Sequence, residues 1–121
     1  MSDLEISCFL LLVREAYRTN RFGYRKDGRK VSMDTLAELG LSPRDMLERI
    51  AALRPEDALN APWPNRNRAH SDEMVCDFGI YVDDTPVYIK ISVRGTDAES
   101  RGFVISFHVA DRPFNSGART D

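Results

Sequence analysis

Between Glu73 and Val109 the chain alternates oily and polar side chains three times over. Met74, Cys76, Phe78, Ile80 and Val82 alternate with Val75, Asp77, Gly79 and Tyr81. Val87, Ile89, Ile91 and Val93 alternate with Tyr88, Lys90, Ser92 and Arg94, and Phe103, Ile105, Phe107 and Val109 with Val104, Ser106 and His108. A period of two is that of a strand with one buried face, because successive side chains point to opposite sides of the pleat. The stretch Asp83-Asp84-Thr85-Pro86 turns the chain between the first two runs. The pattern predicts a three-stranded antiparallel meander whose apolar side packs on helices.

The first half of the chain carries the helical signals. Ser2 and Glu5 have the spacing of a capping box, and Leu4, Cys8, Leu11 and Leu12 recur at helical intervals, predicting a helix to about Arg18 with those residues as its buried stripe. Asp27-Gly28 is hairpin turn chemistry, so one or two short edge strands are expected around it. Asp34 can cap a short helix that runs to Leu39, closed by Gly40. Ser42-Pro43-Arg44-Asp45 combines an N-cap, a proline at the first helical position and an acid at the third, opening a helix with the stripe Met46, Leu47, Ile50, Ala51 and Leu53. Arg54-Pro55 ends that helix, and one further turn to Leu59 is expected. Residues 60–72 read as a loop, with Trp63 pinning it onto the core and Arg66, Arg68 and His70 beyond. The expected fold is α+β, with N-terminal helices packed on one face of an antiparallel sheet, in a single domain over residues 1–114. Residues 115–121 are expected to form a disordered tail.

Composition narrows the function classes. The 121 residues are 42% hydrophobic and 30% charged, as in an ordinary globular domain. A net charge of −2 argues against coating nucleic acid by bulk electrostatics. Residues 14–30 are the exception, with Arg14, Arg18, Arg21, Arg25, Lys26, Arg29 and Lys30 against Glu15 and Asp27, a local charge of +5. Cys8 and Cys76 have no CxxC spacing and no clustered ligands, so buried free thiols are expected and neither a metal nor a cofactor. The run from Cys8 to Val13 is too short to cross a bilayer before Arg14 and Glu15 interrupt it. A soluble cytoplasmic protein with no membrane partner is expected.

If the three strands pair as a meander, Tyr88, Lys90, Arg94, Ser106 and His108 share the polar face with Asp77, Tyr81 and Ser92. A histidine, a tyrosine and two cations are the parts of a metal-free ribonuclease: a group to move the proton of the ribose 2′-hydroxyl, an acid for the departing 5′-oxygen, and positive charge for the phosphoryl oxygens. Histidine suits proton transfer because its ordinary pKa of about 6.5 lies near working pH.

The order of segments also resembles a known family. A helix written "LAELGLSPRDMLERIAALRPED", a Pro- and Trp-containing loop, then "VYIKISV" and "VISFHVAD", are similar to the motility quorum-sensing regulator (MqsR) family of type II toxins, small RelE-like messenger-RNA interferases. The likeness spans about residues 34 to 111. It implies a RelE-like fold, metal-independent endoribonuclease activity in the cytoplasm and neutralisation by a cognate antitoxin. It places the family's tyrosine on Tyr88, the lysine two residues later on Lys90, and a terminal basic residue on His108. A lysine and a glutamine that members carry fall near Asn60 and Val75, and both are absent here. The expected catalytic set is His108 as acid or base, Tyr88 assisting, and Lys90 with Arg94 on the phosphate; Arg66, Arg68, Arg25 and Lys26 are the expected RNA-binding residues. The alternative is a non-catalytic module that keeps the fold and binds a protein or nucleic acid. A helix-turn-helix over Asp34 to Leu53 is poorly equipped for a DNA groove, with Arg44 beside Asp45 and Glu48.

Overall fold

The computed structural model describes residues 3–24, 30–31, 33–64, 72–95 and 101–114. The proposed RNA-binding residues Arg25, Lys26, Arg66 and Arg68, the Asp27-Gly28 pair and the tail from residue 115 lie outside them.

Helix α1 (Asp3–Arg18) buries Ile6, Phe9, Leu10, Val13 and Ala16. The expected stripe is the wrong one: Leu4 is 74% and Leu11 62% exposed, and Cys8 is exposed rather than buried. Residues 4 to 13 are nearly all apolar, so the helix has two oily stripes about half a turn apart, and only contact with the sheet selects between them. Leu4, Cys8 and Leu12 instead line an open groove with Pro62 and Met74.

Helix α2 (Met33–Leu39) ends as expected at Gly40, whose φ of 73° is the left-handed conformation that a Cβ disfavours. The Leu41 N–H donates to the Leu36 carbonyl at 2.8 Å and the Gly40 N–H to Ala37 at 3.1 Å, the paired bonds of a Schellman closure. Helix α3 (Pro43–Ala51) starts on a reciprocal capping box: the Asp45 N–H donates to Ser42 Oγ at 3.0 Å and the Ser42 N–H to Asp45 Oδ2 at 2.9 Å. The Ser42 N–H on the carboxylate, then the Ser42 hydroxyl, hold the Asp45 carboxyl below its ordinary pKa. Met46, Ile50 and Leu53 are buried. Arg14 of α1 donates to the carbonyls of Ala51 at 3.2 Å and Leu53 at 2.6 Å, placing a cation on the end of α3 where orphan carbonyls collect. A single 3-10 turn follows over Pro55–Asp57.

Among the described residues six strands form one mixed sheet: β1 (Phe22–Tyr24), β2 (Lys30–Val31), β3 (Trp63–Pro64), β4 (Glu73–Val82), β5 (Thr85–Arg94) and β6 (Arg101–Val109). The order is β1-β6-β5-β4-β3, with β2 also beside β6. The meander of β4, β5 and β6 is antiparallel, joined first by Asp83 and Asp84, both at positive φ, as a two-residue primed hairpin turn requires. The wholly antiparallel expectation fails at the edge. Strands β1 and β2 both run parallel to β6 and do not form a hairpin with each other. Phe9 of α1 packs on Phe78 with centroids 6.1 Å apart, and the core lies between the three helices and one sheet face.

Strand β6 corrects the alternation read from the sequence. Lys90 pairs with Ser106 but Ile91 pairs with Val104, so Ile105 is an extra residue in a β-bulge. Val104 is therefore core and Phe103 lies on the outer face, while Phe107 stays inside. Gly102 faces the core against Phe22, whose Cδ2 lies 2.1 Å from where a Cβ would sit. Gly102→Ala is expected to destabilise by roughly 1–3 kcal/mol through overpacking, lowering Tm by several degrees. Gly23→Ala, where a Cβ meets nothing within 4 Å, should leave thermal unfolding almost unchanged.

Candidate functional site

Cross-strand partners share a face, so the register fixes the site. On the outer face Tyr88 stands opposite Gly79 of β4 and His108 of β6, and Lys90 opposite Asp77 and Ser106. The Tyr88 and His108 rings meet with centroids 5.2 Å apart at 42°. His108 Nδ1 lies 3.0 Å from the Val109 carbonyl oxygen. A carbonyl only accepts, so in this contact the Nδ1–H donates and Nε2 is the ring nitrogen not engaged by Val109.

Asp77 is the residue that sequence reasoning placed on this face without giving it a role. Its Oδ2 accepts from Asn60 Nδ2 at 3.1 Å, while its own N–H donates to Asn60 Oδ1 at 3.2 Å. Asn60 thus holds a carboxylate. Asp77 Oδ1 is buried with no partner in hydrogen-bonding geometry among the described residues. The Tyr88 hydroxyl is near enough to feel this carboxylate: burial first, then the neighbouring Asp77 carboxylate, raise the phenol well above its ordinary pKa. Tyr88 therefore keeps its proton through the physiological range and serves as a hydrogen-bond donor.

The two cations separate. Lys90 is two residues from Tyr88, about 7 Å along the strand, with Nζ 5.8 Å from the Trp63 ring centroid. Arg94 is six residues from Tyr88, about 20 Å, where it lies 6.0 Å over the Phe103 ring and 3.7 Å from Asp72. The Arg94 guanidinium is thus turned to Phe103 and Asp72 rather than to Tyr88. Trp63 does not pin a loop onto the core; it sits in β3 opposite Val75 on the outer face, because its two-residue strand extends the sheet edge. The outer face is also less open than a polar pattern suggests. Glu73 and Ser92 are buried there, Ser92 Oγ donating to Glu73 Oε1.

Cys76 faces the core. Its thiol donates to the Asn60 carbonyl at 3.3 Å, and burial, then the charge of Asp77, push it up to about 12, so it remains an un-ionised thiol with no nucleophilic role. Of the basic segment, Arg14 and Arg18 are engaged within the fold, Arg18 with Glu15 at 2.6 Å. Among the described residues no three His, Cys, Asp or Glu side chains are grouped to hold a metal ion, and no helix is long and apolar enough to cross a membrane.

Asp77→Asn is expected to bring the Tyr88 ionisation down toward the ordinary phenol range, read as tyrosinate absorbance during an alkaline titration. The sign for stability follows. The folded state holds this proton above the unfolded pKa of about 10, so the contribution is intact below that pH and is lost as pH rises beyond it. The alkaline loss should be shallower in Asp77→Asn than in wild type.

Comparison with protein-family models, with curated proteins and with solved structures finds no match to this chain.

Proposed function

We propose that this protein is a metal-independent endoribonuclease of the RelE-like, MqsR-type toxin class, acting on messenger RNA in the bacterial cytoplasm and restrained by a cognate antitoxin. The observation that carries the reading is the contact of Tyr88 with His108 on the outer face, with Lys90 one row away along β5. His108 takes the proton of the ribose 2′-hydroxyl, and the 2′-oxygen attacks phosphorus. The bond to the 5′-oxygen breaks and leaves a 2′,3′-cyclic phosphate. Lys90 supplies positive charge to the phosphoryl oxygens and the proton taken up by the departing oxygen. Tyr88, held protonated beside Asp77, donates a hydrogen bond that orients the reacting group. Arg94 takes a phosphate further along the strand, as its distance requires.

A second reading, a binding module without catalysis, draws on the engagement of Lys90 with Trp63 and of Arg94 with Asp72. The two readings separate when pure protein is incubated with single-stranded RNA in excess chelator. Cleavage to 2′,3′-cyclic ends is expected, reduced about 100-fold or more in His108→Ala and less severely in Tyr88→Phe. No cleavage, or cleavage indifferent to both substitutions, overturns the nuclease assignment.

A further inference from the structure

A ring outside every pattern in the sequence borders the Tyr88–His108 pair. Gly79 stands directly opposite Tyr88 and, by the pleat, faces outward between Asp77 and Tyr81. A Cβ built on Gly79 would lie 2.7 Å from Phe114 Cε1 and Cζ. The phenyl ring of Phe114 thus fills the space that any other residue's side chain would take.

Two contacts fix it there. The Phe114 ring meets Tyr81 edge-on, with centroids 5.8 Å apart at 87°, and its N–H donates to the Tyr81 hydroxyl at 3.2 Å. The chain reaches this position from β6 through Ala110, whose N–H donates to the Pro86 carbonyl at 2.8 Å. Phe114 has no place in the hydrophobic core, which lies on the other side of the sheet. Its ring, Tyr81, Tyr88 and His108 are each only partly buried. The corner is therefore an aromatic rim, open to solvent, beside an imidazole and within two strands of it, about 10 Å. A base, its ribose and its phosphate bridge that span.

We propose that Phe114, seated in the gap left by Gly79, is the stacking wall for a nucleobase of single-stranded RNA whose ribose lies against Tyr88 and His108. The choice of RNA rests on the ribonuclease reading; the geometry of the wall does not. Single strands are favoured over duplex because only an unstacked base offers its face to a ring. Phe114 binds through π-surface alone, so it tolerates any base, whereas Tyr88 and Lys90 supply polar contacts.

The test measures binding without cleavage, using a fluorescently labelled 2′-O-methyl oligonucleotide, which lacks the attacking hydroxyl. Wild type is expected to bind the single strand more tightly than the duplex of the same sequence. Phe114→Ala should weaken single-strand binding by about 5- to 150-fold, the range that loss of one stacked base gives, and Phe114→Trp should preserve it. Gly79→Ala should match Phe114→Ala because the new methyl evicts the ring; thermal unfolding checks that both variants remain folded, and Phe114→Ala decides if Gly79→Ala does not. Unchanged or tighter binding by Phe114→Ala, a preference for duplex, or no binding by wild type overturns the proposal. Dependence on Phe114 without RNA cleavage in the chelator assay would sink the nuclease and keep the wall, and cleavage indifferent to Phe114 would do the reverse.

Discussion

The single extra residue in β6 governs which chemistry the outer face carries. Counting inward positions from Val104 at strict alternation would send Ser106 and His108 into the core and turn Phe107 out. Counting from Phe107 would bury Phe103 and Ile105 and expel Val104. The bulge at Ile105 satisfies both ends: Val104 meets Ile91 and Phe107 meets Ile89 in the core, while His108 comes out beside Tyr88. Because the side-chain period is two, a one-residue slip moves a whole set of residues between faces. The neighbouring edge breaks at the same level, β1 pairing up to Val104 and β2 resuming at Ser106.

Around that register the charged groups divide between holding the fold and facing solvent. Arg14 caps the end of α3, tying α1 to the helix that shares its core. Asp77 is held by Asn60 on one side and sits near Tyr88 on the other. A carboxylate in such partly buried surroundings interacts more strongly with a neighbouring phenol than it would in water, and so it adds to burial in favouring the protonated form of Tyr88. The His108 imidazole contacts the Val109 carbonyl through Nδ1. The two rings are in contact across the β5–β6 pair.

The sheet's second face is neither a bare solvent surface nor a second core. Trp63, Phe103 and Phe114 cover parts of it, Lys90 and Arg94 lie over two of those rings, and Glu73 with Ser92 is buried at one end. Tyr88 and His108 occupy the half-open stretch between the aromatic patches.

By itself the sequence determined what depends on near neighbours. The capping box of Ser42 and Asp45, the glycine closure at Gly40, the turn at Asp83-Asp84 and the period of two in β4 and β5 follow from stereochemistry within a few residues, and each was legible. So was the shared face of Tyr88 with Lys90. The tertiary structure alone decided whatever needed a distant partner. Helix α1 offered two oily stripes, and the sheet chose Ile6, Phe9, Leu10 and Val13 over Leu4 and Leu11. The bulge at Ile105, the parallel pairing of β1 and β2 with β6, the hold of Asn60 on Asp77 and the seat of Phe114 over Gly79 bring together residues 13 to 80 positions apart. Such contacts form because non-local packing outweighs local preference, and a one-dimensional pattern carries no trace of the partner that will fill the gap.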